Sequence, residues 1–181
     1  MALKATIYKT ALNVADMDRQ VYADYALTVA RHPSETDERM LMRILAFALH
    51  ADQELEFGRG ISTDDEPDLW RKQLTGDIEL WIELGTPDES RLRKACGRAR
   101  EVVLYCYGGR AVPLWWEKNA PLLQRFDNLK VLEIDTESSK QLALMAAPGM
   151  RLQASIMDGE VYISSEHAAL DPVTIKPTVL M

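Results

Sequence analysis

Residues 67–85, PDLWRKQLTGDIELWIELG, decide how this chain is read. The second half alternates. Asp77, Glu79, Trp81 and Glu83 fall on one face, and Ile78, Leu80, Ile82 and Leu84 on the other. A period of two is the pattern of a half-buried strand. Thr75-Gly76 reads as a turn and Asp68-Leu69-Trp70 as the facing strand, so the stretch is predicted to be a β-hairpin. With a two-residue loop, positions whose numbers share one sum face each other, and Asp68 lands opposite Glu83. Directly opposed residues hold their Cβ atoms about 5 Å apart. Two carboxylates that close repel unless a cation lies between them, so the hairpin is either a metal site or a charged sheet edge. Asp77 is about 20 Å of strand away from Glu83 and cannot share a cation with it. Asp77 and Glu79 therefore read as sheet charges, with Lys72 as a partner for Glu79.

Working outward toward the C-terminus, Thr86-Pro87-Asp88-Glu89 reads as a helix start. Thr86 caps, Pro87 takes the first helical position and Glu89 closes a capping box. The helix is predicted to run to about Arg100. Arg91, Lys94 and Arg98 share one of its faces. Such a run is usually a solvated face, but this one begins two turns from Glu83. Residues 101–107, EVVLYCY, form the next strand, and strand–helix–strand implies a parallel crossover. Ligands bind beyond the strand ends of such sheets. A second crossover helix is predicted over 113–126, interrupted at Pro121, with Trp115 and Trp116 as packing residues. A strand over 130–135 and a helix over 138–147 follow. Asp158-Gly159 marks a hairpin between 150–157 and 160–164. The tail from residue 166 reads as irregular.

Toward the N-terminus, 3–14 and 20–31 are predicted to form a hairpin, with Val21, Ala23, Tyr25, Leu27 and Val29 on one face. Pro33 ends it. Ser34 is the expected N-cap of a helix over 35–54. Its section 40–49, MLMRILAFAL, is apolar almost all round, as in a helix buried on more than one side. The acids Glu35, Asp37 and Glu38 suit the first turn; Glu38 also lies at the edge of the apolar stripe. Residues 55–62 read as a short strand weakened by Gly58 and Gly60. Asp65 and Glu66 read as solvated loop charges.

Composition sets bounds. The chain has 181 residues, 47% of them apolar and 27% charged. This fits a single globular domain over 1–181 with a sizeable core. There is no apolar run of membrane-spanning length and no signal-peptide core, so a cytoplasmic location and no membrane association are expected. Cys96 and Cys106 read as small buried thiols. The net charge of −7 argues against a strong non-specific nucleic-acid binder, though not against a local basic groove. His32, His50 and His167 are scattered, and no Gly-rich phosphate loop is present.

The element order α-β-β-β-α-β, with acids at Asp68 and Glu83, resembles the core of the PD-(D/E)xK nuclease superfamily. More specifically, RHPSETDERMLMRILAFAL, PDLW, GDIELWIELG, PDESRLRKACGRAREVVLY and DGEVYIS, in that order, are similar to the YaeQ family over nearly the whole chain. The resemblance implies a mixed α/β fold, a sheet flanked by helices, with hairpins at both ends. It also implies that Asp68 and Glu83 are metal-binding acids, joined by Glu38. The superfamily's lysine stands two residues after the second acid. Here that residue is Gly85, and Lys94 is the substitute the resemblance offers. Phosphodiester hydrolysis calls for a hard cation on oxygen ligands. Mg²⁺ is the expected cofactor, with Mn²⁺ as substitute, and Arg91 or Arg98 is suited to a phosphate backbone. Three readings stand side by side. One is a metal-dependent phosphodiesterase acting on nucleic acid. The second is a non-catalytic, nuclease-like scaffold that binds nucleic acid or a protein partner, with a transcription-related role among its uses. The third is a soluble α/β protein whose acids keep a sheet edge solvated.

Overall fold

The protein's structure, a computed structural model, describes residues 3–59, 65–167 and 170–181. In chain order the elements are β1 (Thr6–Asp16), β2 (Val21–Arg31), α1 (Asp37–Leu49), β3 (Leu55–Phe57), β4 (Leu69–Lys72), β5 (Ile78–Leu84), α2 (Glu89–Arg98), β6 (Ala99–Cys106), α3 (Ala111–Leu123), β7 (Leu129–Glu133), α4 (Thr136–Ala143), β8 (Gly149–Met157), β9 (Glu160–Ser165), β10 (Val173–Ile175) and β11 (Thr178–Val179). The fold is mixed α/β with two mixed sheets, and the helix–three strands–helix–strand order read from the sequence is present as α1 to β6. None of the described helices is long and apolar enough to cross a membrane. Two compact units divide the chain: Met1–Asp52 with Glu137–Lys176, and Gln53–Thr136 with Pro177–Met181.

In the first unit, β1 and β2 pair antiparallel from Thr6–Arg31 to Asp16–Val21. Leu12, Val14, Leu27 and Val29 are its buried face, as the alternation requires. Asp158 and Gly159 take left-handed backbone (φ 52° and 74°) in the turn between β8 and β9, the pattern that lets a two-residue turn follow the twist of its strands. The carboxylate of Asp18 accepts the amides of both turn residues at 2.8 and 2.9 Å. The two hairpins are one sheet: β8 pairs parallel with β1, giving the order β10-β9-β8-β1-β2. Pairing between strands over a hundred residues apart leaves no local period to read. The tail is also more regular than expected, because β10 and β11 each add an edge strand.

Helix α1 is shorter than the predicted 35–54, and its cap is Thr36, whose hydroxyl accepts the Arg39 amide at 3.1 Å. Ser34 instead contacts His32 through its hydroxyl. Glu35 thus precedes the helix and does not serve its dipole. It is buried against Arg43.

The second unit carries the sheet β11-β7-β6-β5-β4-β3, with β5, β6 and β7 parallel as the crossovers imply. The helices are trimmed relative to expectation. α2 begins at Glu89 after Asp88, so Thr86 and Pro87 lie outside it. α3 begins at Ala111 and runs through Pro121 to end at Leu123. α4, which belongs to the first unit from Glu137 on, spans Thr136–Ala143, earlier than 138–147. The predicted strand over 55–62 is confined to β3; Gly60 and residues 61–64 lie outside the described residues.

The central hairpin closes differently from the two-residue loop. Gln73 pairs with Asp77 through an amide–carbonyl bond of 2.8 Å, leaving 74–76 as the loop, with Gly76 at φ 90°. That offset would shift the whole register by one. A β-bulge on β5 restores it: Lys72 faces Ile78 but Arg71 faces Leu80, and Glu79 is the extra residue. From there Trp70 faces Trp81 and Leu69 faces Ile82, as the simple count required. Glu79 is bound by Arg71 and Gln73. Lys72, expected on Glu79, lies over the Trp70 ring at 3.4 Å instead.

β5 is also not half-buried. Trp81, read on a charged face, is 1% exposed and joins a core with Trp70, Leu92, Val102, Leu104 and Val112, against which Trp115 and Trp116 pack. Crossover helices cover the faces of parallel strands, so alternation there does not mean solvent. The thiols follow the same logic. Burial pushes Cys96 up to about 11 and Cys106 up to about 12. Because thiolate is the nucleophile, native protein at pH 8 should react with iodoacetamide roughly a hundredfold or more slowly than a free thiol of pKa about 8.5. Urea should abolish the difference.

Candidate functional site

The β4–β5 ladder ends at Leu69–Ile82, and Asp68 continues it in its own way. Its amide donates to the Ile82 carbonyl at 3.1 Å, and its carboxylate accepts the Leu84 amide at 2.9 Å. Its carbonyl accepts the Gly58 amide at 2.9 Å. Asp68 is thereby fixed beside the end of β5, where Glu83 projects. Both acids are buried, at 6% and 3% exposure. One oxygen of Glu83 accepts Trp81 Nε1 at 2.8 Å and the other accepts Arg91 Nε at 2.9 Å. Burial pushes the Glu83 carboxyl above its ordinary range; the Arg91 hydrogen bond opposes that shift, and the Asp68 charge adds to it. The two acids are therefore electrostatic neighbours, as the hairpin count predicts. Glu83 lies on an interior strand, β5 between β4 and β6, and Asp68 directly precedes β4, which lies between β3 and β5. The edge-solvation reading does not describe them.

Gly85 has a structural reason to be glycine. It sits at φ 95°, with its amide donating to the Tyr105 carbonyl at 2.9 Å. A lysine there would adopt a left-handed backbone that costs roughly 1–2 kcal/mol. The strand end is built as a sharp exit into α2, and the basic side chains come from that helix. Arg91 reaches Glu83 of the acid pair. A second nitrogen of Arg91 donates to the Glu66 carbonyl at 2.8 Å. Lys94 pairs with the Asp65 carboxylate, and Arg98 donates to the Asp65 carbonyl at 2.9 Å. So the shared face read from the sequence exists, and 65–66 is its partner as well as a solvated loop. Asp88, Ser90, Arg91 and Lys94 line a cleft of about 370 Å³. Glu38 belongs to the first unit, where it accepts the Ser139 hydroxyl at 2.6 Å.

Among the described residues no cluster of three or more His, Cys, Asp or Glu side chains has metal-holding geometry. Two adjacent acids nevertheless suit a hard cation such as Mg²⁺, which typically takes one or two carboxylates and completes its shell with water and phosphate oxygens. Each Glu83 oxygen accepts one hydrogen bond, and a carboxylate has about four acceptor positions. The donor set fits, with the Arg91 guanidinium as its competitor. Sequence reasoning missed the Trp81 indole as a donor to Glu83, although the two share a face two residues apart. It also missed the Leu84 amide, because main-chain donors leave no mark in a sequence.

The sequence model of the YaeQ protein family matches residues 1–173. The chain is 48% identical over 171 residues to the protein of Escherichia coli (strain K12) named "Uncharacterized protein YaeQ", covering 94% of each, and equally identical to its Salmonella typhi namesake. The crystal structure of YaeQ protein from Xanthomonas axonopodis pv. citri superposes with a TM-score of 0.93 at 52% identity over 98% of both chains. That from Pseudomonas syringae gives 0.92 at 34% identity, over 98% of this chain and 96% of the other. With matches of that extent in sequence and in structure, the chain belongs to the YaeQ family.

Proposed function

We propose that Asp68 and Glu83 bind a divalent cation and that this site serves metal-dependent phosphodiester hydrolysis on nucleic acid. The observation that carries the reading is the buried acid pair next to the basic face of α2. A bound Mg²⁺ or Mn²⁺ would supply an activated water and charge neutralisation at phosphate. Asp68 is held by the Leu84 amide and Glu83 by the Trp81 indole, so both acids are oriented before a cation arrives. Arg91, Lys94 and Arg98 are the groups suited to phosphate oxygens. A second reading, a scaffold that binds nucleic acid or a protein without cleaving, is favoured by one contact: Lys94, the substitute lysine, pairs with Asp65.

Titration calorimetry of Mg²⁺ and Mn²⁺ into the wild type and Asp68→Asn, with DNA and RNA cleavage assays on the same two proteins, separates these. Asp68→Asn should weaken cation binding by more than the 10- to 100-fold that loss of an outer-shell partner costs, and abolish cleavage. Binding and cleavage that both survive the substitution refute the site. Cation binding by a wild type that cuts neither substrate selects the scaffold.

A further inference from the structure

We propose that Arg91 is the resident counter-cation of the acid pair and that a divalent cation must displace it from Glu83. This rests on the cation-binding reading above. The Arg91 Nε–Glu83 contact is 2.9 Å, on the oxygen that Trp81 does not hold. A divalent ion on either Glu83 oxygen would stand beside the Arg91 guanidinium and set two positive charges side by side in a buried site. Glu83 is fixed by burial and by the indole. Arg91 is not: its side chain is 27% exposed, against 3% for Glu83, and extends from a surface helix. The mobile member of the pair is therefore the arginine. It also donates to the Glu66 carbonyl at 2.8 Å, a main-chain oxygen that water can replace. Once displaced, the guanidinium remains on the wall of the cleft shared with Ser90 and Lys94. Cation loading thus converts a charge that neutralises protein carboxylate into one available to a phosphate. Binding becomes ordered, with the cation first and the anion second.

The test reads cation affinity and the arginine itself, not turnover. Mn²⁺ should bind Arg91→Gln about tenfold or more tightly than wild type, and Arg91→Lys, which keeps the charge, much closer to wild type. In the unmutated protein, the ¹⁵Nε–¹H resonance of Arg91, assigned by its absence from Arg91→Lys, should shift and lose exchange protection as Mg²⁺ is added. That measurement holds even if Arg91→Gln fails to fold. If Mg²⁺ binds in an Asp68-dependent way while the Arg91 resonance stays in place, displacement is wrong and the cation site stands. Displacement is equally wrong if a folded Arg91→Gln binds Mn²⁺ no more tightly than wild type. If neither the wild type nor Arg91→Gln binds Mg²⁺ or Mn²⁺, both proposals fall.

Discussion

Replacing Arg43 by methionine should destabilise the protein by about 3–5 kcal/mol, read as a drop in the urea midpoint. Glu35 and Arg43 are 4% and 2% exposed. Two nitrogens of Arg43 grip the Glu35 carboxylate at 2.8 Å each, and one of them also donates to the Ala30 carbonyl at 2.9 Å. Methionine fills similar volume but leaves the carboxylate in low dielectric without its main partner. A further contact, Arg39 at 3.1 Å, comes from a side chain that is 23% exposed. An ion pair of that kind is worth about 1 kcal/mol or less, so Arg39→Met should be mild. The decisive comparison is the double variant. A buried pair can often be exchanged for apolar groups at little net cost, whereas breaking it strands a charge. Glu35→Leu in the Arg43→Met background should therefore return most of the loss, a coupling far outside additivity. A loss below about 1 kcal/mol in Arg43→Met would mean that water reaches Glu35 and that the pair is not buried in solution.

This pair also shows where the sequence stops being legible. Glu35 reads as a first-turn acid because Ser34 reads as the cap. Moving the cap to Thr36 takes Glu35 out of the helix. Arg43 lies inside an apolar run with nothing nearby in sequence to announce its partner. What local periodicity controls is readable: the hairpins, the β5–α2–β6 crossover and the common face of Arg91, Lys94 and Arg98. The adjacency of Asp68 and Glu83 is readable too, but for an incomplete reason. The count assumes a two-residue turn; the chain uses a longer loop and cancels the offset with a bulge at Glu79. Neither device has a strong signature. Arg91 of α2 lies against Glu83, and Trp81 on the same face packs in a core with α2 and α3 residues, which no strand period reports. The parallel β1–β8 pairing depends on contacts between the two ends of the chain.

Gly58→Ala should be the most damaging glycine-to-alanine change among the described residues of the second unit. A Cβ at residue 58 would stand 1.9 Å from the Pro67 carbonyl oxygen and 3.1 Å from its carbon. Both are main-chain atoms, so no side-chain rotation relieves the overlap. Here glycine marks a close backbone approach and not a weak strand. Overpacking of this kind costs about 1–3 kcal/mol, occasionally more, and a main-chain obstacle places this site at the upper end. The same substitution at Gly97 gives the opposite sign. That residue lies exposed in α2, and its added methyl would meet nothing within 4 Å, so Gly97→Ala should stabilise by about 0.5–1 kcal/mol. Two alanines of identical chemistry should move the urea midpoint in opposite directions. Gly58→Ala has a further consequence, because the atoms that must yield belong to Pro67, the residue next to Asp68. The Gly58 amide holds the Asp68 carbonyl, and the Leu84 amide holds its carboxylate. Pushing 67–68 away from β3 strains both contacts. A misplacement of about 1 Å can cost a hundredfold where geometry matters. At the cation site proposed above, Mn²⁺ affinity should therefore fall in Gly58→Ala although no acid has been altered, and stay unchanged in Gly97→Ala. If Gly58→Ala lost stability but kept its cation affinity, Asp68 would be positioned from the β5 side alone, by the Leu84 amide, with β3 serving only as packing.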